Sequence, residues 1–170
     1  MRLVNVGVGV AVGLAFWYFV VPEYGLVPRA LARLAVPVAF GHGWQLGGTE
    51  NAILYRPDGS IAATMFLRYI TTNVITLVAL FALPAAPLSV RNLFRCLVAI
   101  ACLIPVHAAA ILTVAKSIVL PGSLWGNAAQ AYTIFGSHAI SFAVWSLLRP
   151  ADSPASTTEK APRKATRGKS

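Results

Sequence analysis

Among the polar side chains inside long uncharged stretches, Asn73, Cys102, His107 and His138 are the ones whose types could do chemistry. An ionisable or strongly hydrogen-bonding group deep in hydrocarbon is costly and usually has a reason. His107 lies eleven residues after Cys96 and His138 ten residues after Ala128, so each falls near the middle of an uncharged run. If those two runs pack as antiparallel neighbours, as their short connection favours, the imidazoles share one layer.

Several chemistries compete for that layer. Neutral imidazoles can donate hydrogen bonds between helices, with Ser137, Ser141 and the carbonyls near Pro105 as partners. A proton or substrate pathway ordinarily adds acidic groups, and none of the uncharged runs contains Asp or Glu. Two His with Cys102 could ligate a metal, but Cys102 and His107 are five residues apart and off one helical face, so no metal centre or cofactor is expected. An enzyme would use Cys102 as nucleophile, His107 as base and an Arg at the oxyanion. Apolar surroundings keep a cysteine a thiol, and Arg91 and Arg95 lie two to three helical turns away, so no catalytic residue is expected.

The elements that must position these residues follow from hydropathy. Of 170 residues 57% are hydrophobic and 11% charged, against about 25% charged in a soluble domain. The apolar residues are gathered in long uncharged blocks, which is what a bilayer demands. Leu3 to Val21 is 19 residues without a charge, enough for a first span within 1–21. A signal peptide is the competing reading, but the run ends in Phe16, Trp17 and Tyr18, where a cleavage site wants small residues. Trp17 and Tyr18 suit the headgroup belt.

Residues 22–68 carry seven charges with many Pro and Gly, so they form an extramembrane domain. Pro28 to Phe40 sets Arg29 and Arg33 one turn apart with Leu31, Leu34 and Val38 on other positions, a short interfacial helix interrupted at Pro37; a plain packed connecting helix is the alternative. Ala52–Tyr55 and Ile61–Phe66 flank Arg56-Pro57-Asp58-Gly59-Ser60, the signature of a β-hairpin. Gly41, Gly43, Gly47 and Gly48 lack nucleotide-loop spacing and read as turns.

A second span covers 69–87, with Asn73 near its outer end and Pro84 near its inner end. A loop over 88–95 holds Arg91 and Arg95. The third span, 96–116, is bent or loosened at Pro105 and closed by Lys116, a snorkelling anchor. An outer loop, 117–127, contains the Pro121-Gly122-Ser123 turn, and the fourth span occupies 128–148. The tail, 149–170, carries six basic residues among Ala, Ser, Thr and Pro, with no pattern that could offset ordering entropy, and is expected to be disordered and to meet anionic lipid headgroups. Cys96 and Cys102 share one span, point apart and form no disulfide.

The net charge of +9 would suit nucleic acid, but its placement argues for membrane orientation and no nucleic-acid partner. Nine basic residues fall on the side of both termini and five on the other, which sets the ends in the cytoplasm and the hairpin outside. Gly9 with Gly13, and Ala139 with Ala143, are small pairs at i, i+4 that let helices approach closely. The expectation is a mainly α integral membrane protein with four transmembrane helices and a small extracytoplasmic insertion, an amphipathic helix plus a β-hairpin, between spans one and two.

The order of features resembles the small accessory membrane proteins encoded beside exosortases, in particular the exosortase H-associated membrane proteins. The matching pieces are the opening span ending in Trp17-Tyr18 and Pro22, the Pro-interrupted apolar segment through Phe40, the strand-rich stretch before Asn73, Pro105-Val106-His107 and Ala115-Lys116. The resemblance implies a non-catalytic protein of a bacterial inner membrane, assisting a multispan transpeptidase that processes C-terminal sorting signals. It carries over no catalytic residue: Cys96 and Cys102 are flanked by Arg95, Leu97, Ala101 and Leu103, unlike the Gly- and Ser-flanked exosortase cysteine. The alternative reading is a small transporter or membrane enzyme that uses His107 and His138.

Overall fold

The computed structural model describes residues 2–82 and 89–149. Pro84, Pro87 and the basic tail beyond Arg149 lie outside the described residues. Helix α1 (Arg2–Phe19) leads through a single turn, α2 (Val21–Tyr24), into α3 (Leu26–Phe40). Three strands follow, β1 (Gln45–Gly47), β2 (Asn51–Tyr55) and β3 (Ile61–Phe66), then α4 (Leu67–Ile70), α5 (Asn73–Phe81) and α6 (Val90–Val119). The chain closes with α7 (Leu124–Ala131), a π-helical turn (Tyr132–Gly136) and α8 (Ser137–Leu148), which together make one unbroken helical run. The protein is mainly helical, and two of its helices, α6 and the run Leu124–Leu148, are long and apolar enough to cross a membrane. The other apolar helices are shorter.

The strands form an antiparallel meander in the order β1-β2-β3. Alternation along them buries Leu46, Ala52, Leu54, Ala63 and Met65 on one face. The β2–β3 turn is closed by Arg56 N–H to the Ser60 carbonyl (2.8 Å) and by Gly59 at φ +83°, a conformation that favours glycine. Asp58 Oδ1 accepts from both the backbone N–H and the hydroxyl of Ser60, at 2.9 and 2.7 Å, and these bonds hold its carboxyl below the usual range. β1 adds a third strand to the expected hairpin; its three residues are too few to announce themselves by alternation.

Two further differences from the sequence reading have local causes. α3 runs through Pro37 to Phe40 rather than stopping there. Only one N–H is lost at a proline, Gly41 N–H bonds the Pro37 carbonyl, and packing of Ala32 and Val36 against the sheet holds the helix together. α6 begins at Val90, so Arg91 and Arg95 lie on a helix and not in a loop: Ser89 Oγ caps it by accepting from Asn92 N–H at 3.3 Å. The Asn92 side chain donates to the Phe81 carbonyl at 2.8 Å, tying the end of α5 to the start of α6.

At 30 residues α6 is about 45 Å long, well beyond a hydrocarbon thickness of about 30 Å. It threads two separate cores. Ala99, Ile100 and Leu103 pack with Val74, Leu77 and Phe81 of α5, whereas Ala108, Ala110, Ile111 and Ala115 pack with α3 and the sheet.

α5 is the hub of the helices, with α1 along one side and α6 and α8 along others. The α1 contact depends on glycine. A β-carbon at Gly9 would collide with the Ala82 side chain, and one at Gly13 would lie 3.0 Å from the Ile75 carbonyl oxygen, whereas nothing lies near Gly7. Ala139 and Ala143, by contrast, are exposed; α8 meets the rest of the chain through Ser137 and Ser141 and through Ile140, Val144, Trp145 and Leu148, which pack on the helix core. Gly9→Leu is therefore expected to lower unfolding stability in detergent by about 1–3 kcal/mol. Gly7→Leu should stay within about 0.5 kcal/mol of the parent, and equal losses in the two variants would contradict glycine-dependent packing of α1.

Candidate functional site

The break between α4 and α5 prepares the centre of the molecule. Thr71 Oγ1 donates to the Leu67 carbonyl at 2.8 Å and Thr72 Oγ1 to the Tyr69 carbonyl at 3.1 Å, hydroxyl bonds that compete with the helical ladder. Val74 N–H then takes the Thr71 carbonyl, at 3.1 Å, and the Ile70 carbonyl accepts instead from the Tyr132 hydroxyl, also at 3.1 Å. Asn73 is thereby set at the head of α5, fully buried.

Around Asn73 the polar groups link four helices. Its Nδ2 donates to the Ser137 carbonyl at 3.3 Å, which fixes the amide's orientation and turns Oδ1 toward His107. His107 Nε2, 2.7 Å from Oδ1, must then carry the proton. Nδ1 is left as an acceptor for the Tyr24 hydroxyl at 2.8 Å, and the two rings meet edge to face. Ser141 Oγ donates to the Asn73 backbone carbonyl at 3.0 Å and reaches the Ser137 carbonyl at 3.2 Å. The chain of donors thus runs Tyr24, His107, Asn73, Ser137, from α2 through α6 and α5 to α8. The Tyr24 hydroxyl is therefore the donor of that pair.

The expected shared histidine layer takes a different form. His107 is fully buried with both ring nitrogens bonded, while His138 is exposed and its Nδ1 lies 2.9 Å from Thr76 Oγ1. Each imidazole has its own partner on α5. Cys102 is exposed, on a different face of α6 from His107, and is not drawn into the network. Among the described residues no three of His, Cys, Asp and Glu come together in a way that could hold a metal ion.

Two participants escaped the sequence reading. Tyr24 follows a helix that already ends in aromatic residues, so nothing in the sequence separates it from them. Thr76 is an ordinary residue of an apolar run. No family model matches this chain, and neither a curated protein nor a solved structure matches it.

The arrangement is a neutral, matched set of donors and acceptors, suited to fixing helices against one another. Replacing Asn73 or His107 by Leu strands buried partners and should lower stability by about 1–3 kcal/mol. The double replacement should cost less than the sum of the two, with a coupling of about 1 kcal/mol. Thermal melts of the four proteins in one detergent supply the cycle, and strictly additive losses would mean the two side chains act separately.

Proposed function

We propose that this chain is a multispan protein of a bacterial inner membrane and acts without catalysis, as an accessory or structural subunit in contact with a partner membrane protein. In this reading four helical stretches cross the bilayer, both ends are cytoplasmic, the sheet lies outside and the basic tail meets anionic headgroups. The observation that carries it is how polar and apolar groups are spent. The polar groups around Asn73 are consumed in hydrogen bonds that link helices, while large apolar side chains stand on the outside.

That outer surface supports a bilayer as solvent. Val27, Leu31, Leu34 and Val38 recur at helical spacing on one side of α3 and are all exposed, Val38 at 91%. Phe135, Phe142 and Leu147 are likewise exposed along the last helical run. At the sheet end, Trp17 Nε1 donates to the Arg68 carbonyl at 3.0 Å and the Arg68 guanidinium lies 5.3 Å from the Tyr18 ring centre, an aromatic and basic girdle of the kind found at headgroup level. The exosortase-accessory resemblance makes a transpeptidase of that type the first partner to test.

Extraction in mild detergent should recover the chain with a second multispan protein, and recovery as a lone monomer counts against the accessory role. A periplasmic reporter inserted in the turn at residues 56–60 should be active, and one fused after residue 149 inactive; the reverse would invert the topology. The reading as a transporter or enzyme has one observation in its favour, the exposed His138 with only Nδ1 bonded among the described residues. In the accessory role, His107→Gln with His138→Gln leaves partner function in place. Its abolition in a protein that still assembles would support the transporter or enzyme.

A further inference from the structure

A cleft of about 300 Å³ lies between α6 and the α7–α8 run. Val106, Ala109, Thr113, Ala128, Ala129 and Tyr132 line it. Its two hydroxyls are turned away from it in effect, because Thr113 Oγ1 donates to the Ala109 carbonyl at 2.9 Å and the Tyr132 hydroxyl to the Ile70 carbonyl at 3.1 Å. What remains is an almost wholly apolar wall, partly open, with a volume at the lower end of ligand sites, about 300–1,000 Å³. Small side chains at Ala109, Ala128 and Ala129 create the space.

One end of the cleft carries a charge. Lys116 is one turn beyond Thr113 on α6, and Trp125 is one turn before Ala128 and Ala129 on α7, so the two close the same end. The Lys116 ammonium lies 4.4 Å from the Trp125 ring centre and 5.9 Å from that of Phe40. Among the described residues these rings are its partners, and no carboxylate answers its charge. An ammonium held by aromatic faces keeps donors for an anion. Apolar slot and unanswered cation together match an amphiphile with a negative head.

We infer that the cleft binds one acyl chain of an anionic phospholipid whose phosphate sits on Lys116. The inference rests on the reading of α6 and the α7–α8 run as bilayer-crossing helices, and not on the identity of any protein partner. The headgroup supplies the negative charge that the described residues do not place there, and the acyl chain fills space that water would enter at a cost.

Native mass spectrometry of the full chain released from detergent tests this with three probes: phosphatidylglycerol, phosphatidylcholine of the same acyl chains, and glycerol 3-phosphate. One phosphatidylglycerol should be retained in preference to phosphatidylcholine by roughly fivefold, and glycerol 3-phosphate should not displace it. Lys116→Gln should erase the headgroup preference and Lys116→Arg should keep it. Ala109→Phe, at an exposed position on the cleft wall, should lower occupancy by both lipids, with Ala128→Leu as the second blocking variant if the first fails to fold. Equal retention of the two lipids by the parent, an unchanged preference in Lys116→Gln, full occupancy in a folded blocking variant, or displacement by glycerol 3-phosphate would each overturn the site. A lone monomer that still selects phosphatidylglycerol would overturn only the accessory role, and a chain soluble without detergent would overturn the membrane reading itself.

Discussion

The orientation of the Asn73 amide is the constraint from which the helix arrangement follows. With Nδ2 given to a carbonyl of α8, Oδ1 can only accept, and that sets the proton on His107 Nε2 and leaves Nδ1 for Tyr24. Each bond selects the next. In the proposed membrane setting, bonds of this sort between helices are individually modest, about 0.6 kcal/mol on average, because an unpacked helix also finds partners. Their effect is on register, since sliding α5 by one residue against α6 or α8 would strand several buried groups together.

The network also sits where two apolar cores meet. Leu103 and Val74 belong to the helix core, Ala108 and Ile70 to the sheet core, and His107 and Asn73 lie between them along α6 and the α4–α5 segment. A three-stranded sheet with one short edge strand buries too little to stand alone, so it depends on α3 and the C-terminal half of α6. The length of α6 makes this possible. One helix serves both cores, and the polar seam fixes where one gives way to the other.

Much of the local structure was legible in the sequence because its causes are local. The turn residues Pro57, Asp58 and Gly59 between two β-rich runs mark the hairpin, and the long uncharged runs around His107 and His138 mark the two longest helical stretches. Gly9 and Gly13 mark a close helix approach. What was not legible depends on partners distant in sequence. Tyr24 reaches His107 across 83 positions and Asn73 reaches Ser137 across 64, and no spacing rule connects such pairs. Ala139 and Ala143 have the same pattern as the two glycines yet face outward, because Ser137 and Ser141 bind α5 on the other side of the helix. Pro37 signals a stop, but the packed face of α3 outweighs one missing hydrogen bond.

The seam bears on function through what it cannot easily do. A proton carrier needs a group that can take up and release charge while its neighbours reorganise, and acidic residues usually share that task. Here the described members of the network are a phenol, an imidazole, an amide, hydroxyls and carbonyls, and both imidazole nitrogens are committed. Moving a proton through His107 would require Asn73 or Tyr24 to let go, which unlocks the helices they hold. A group with that much structural dependence is poorly placed to cycle, so activity by contact is the more economical reading of this interior. The surface then becomes the place to look. His138, bonded to Thr76 of α5, shares α8 with the outward Ala139 and Ala143; in the proposed bilayer setting an uncovered imidazole is expensive and a closely approaching partner helix would relieve it.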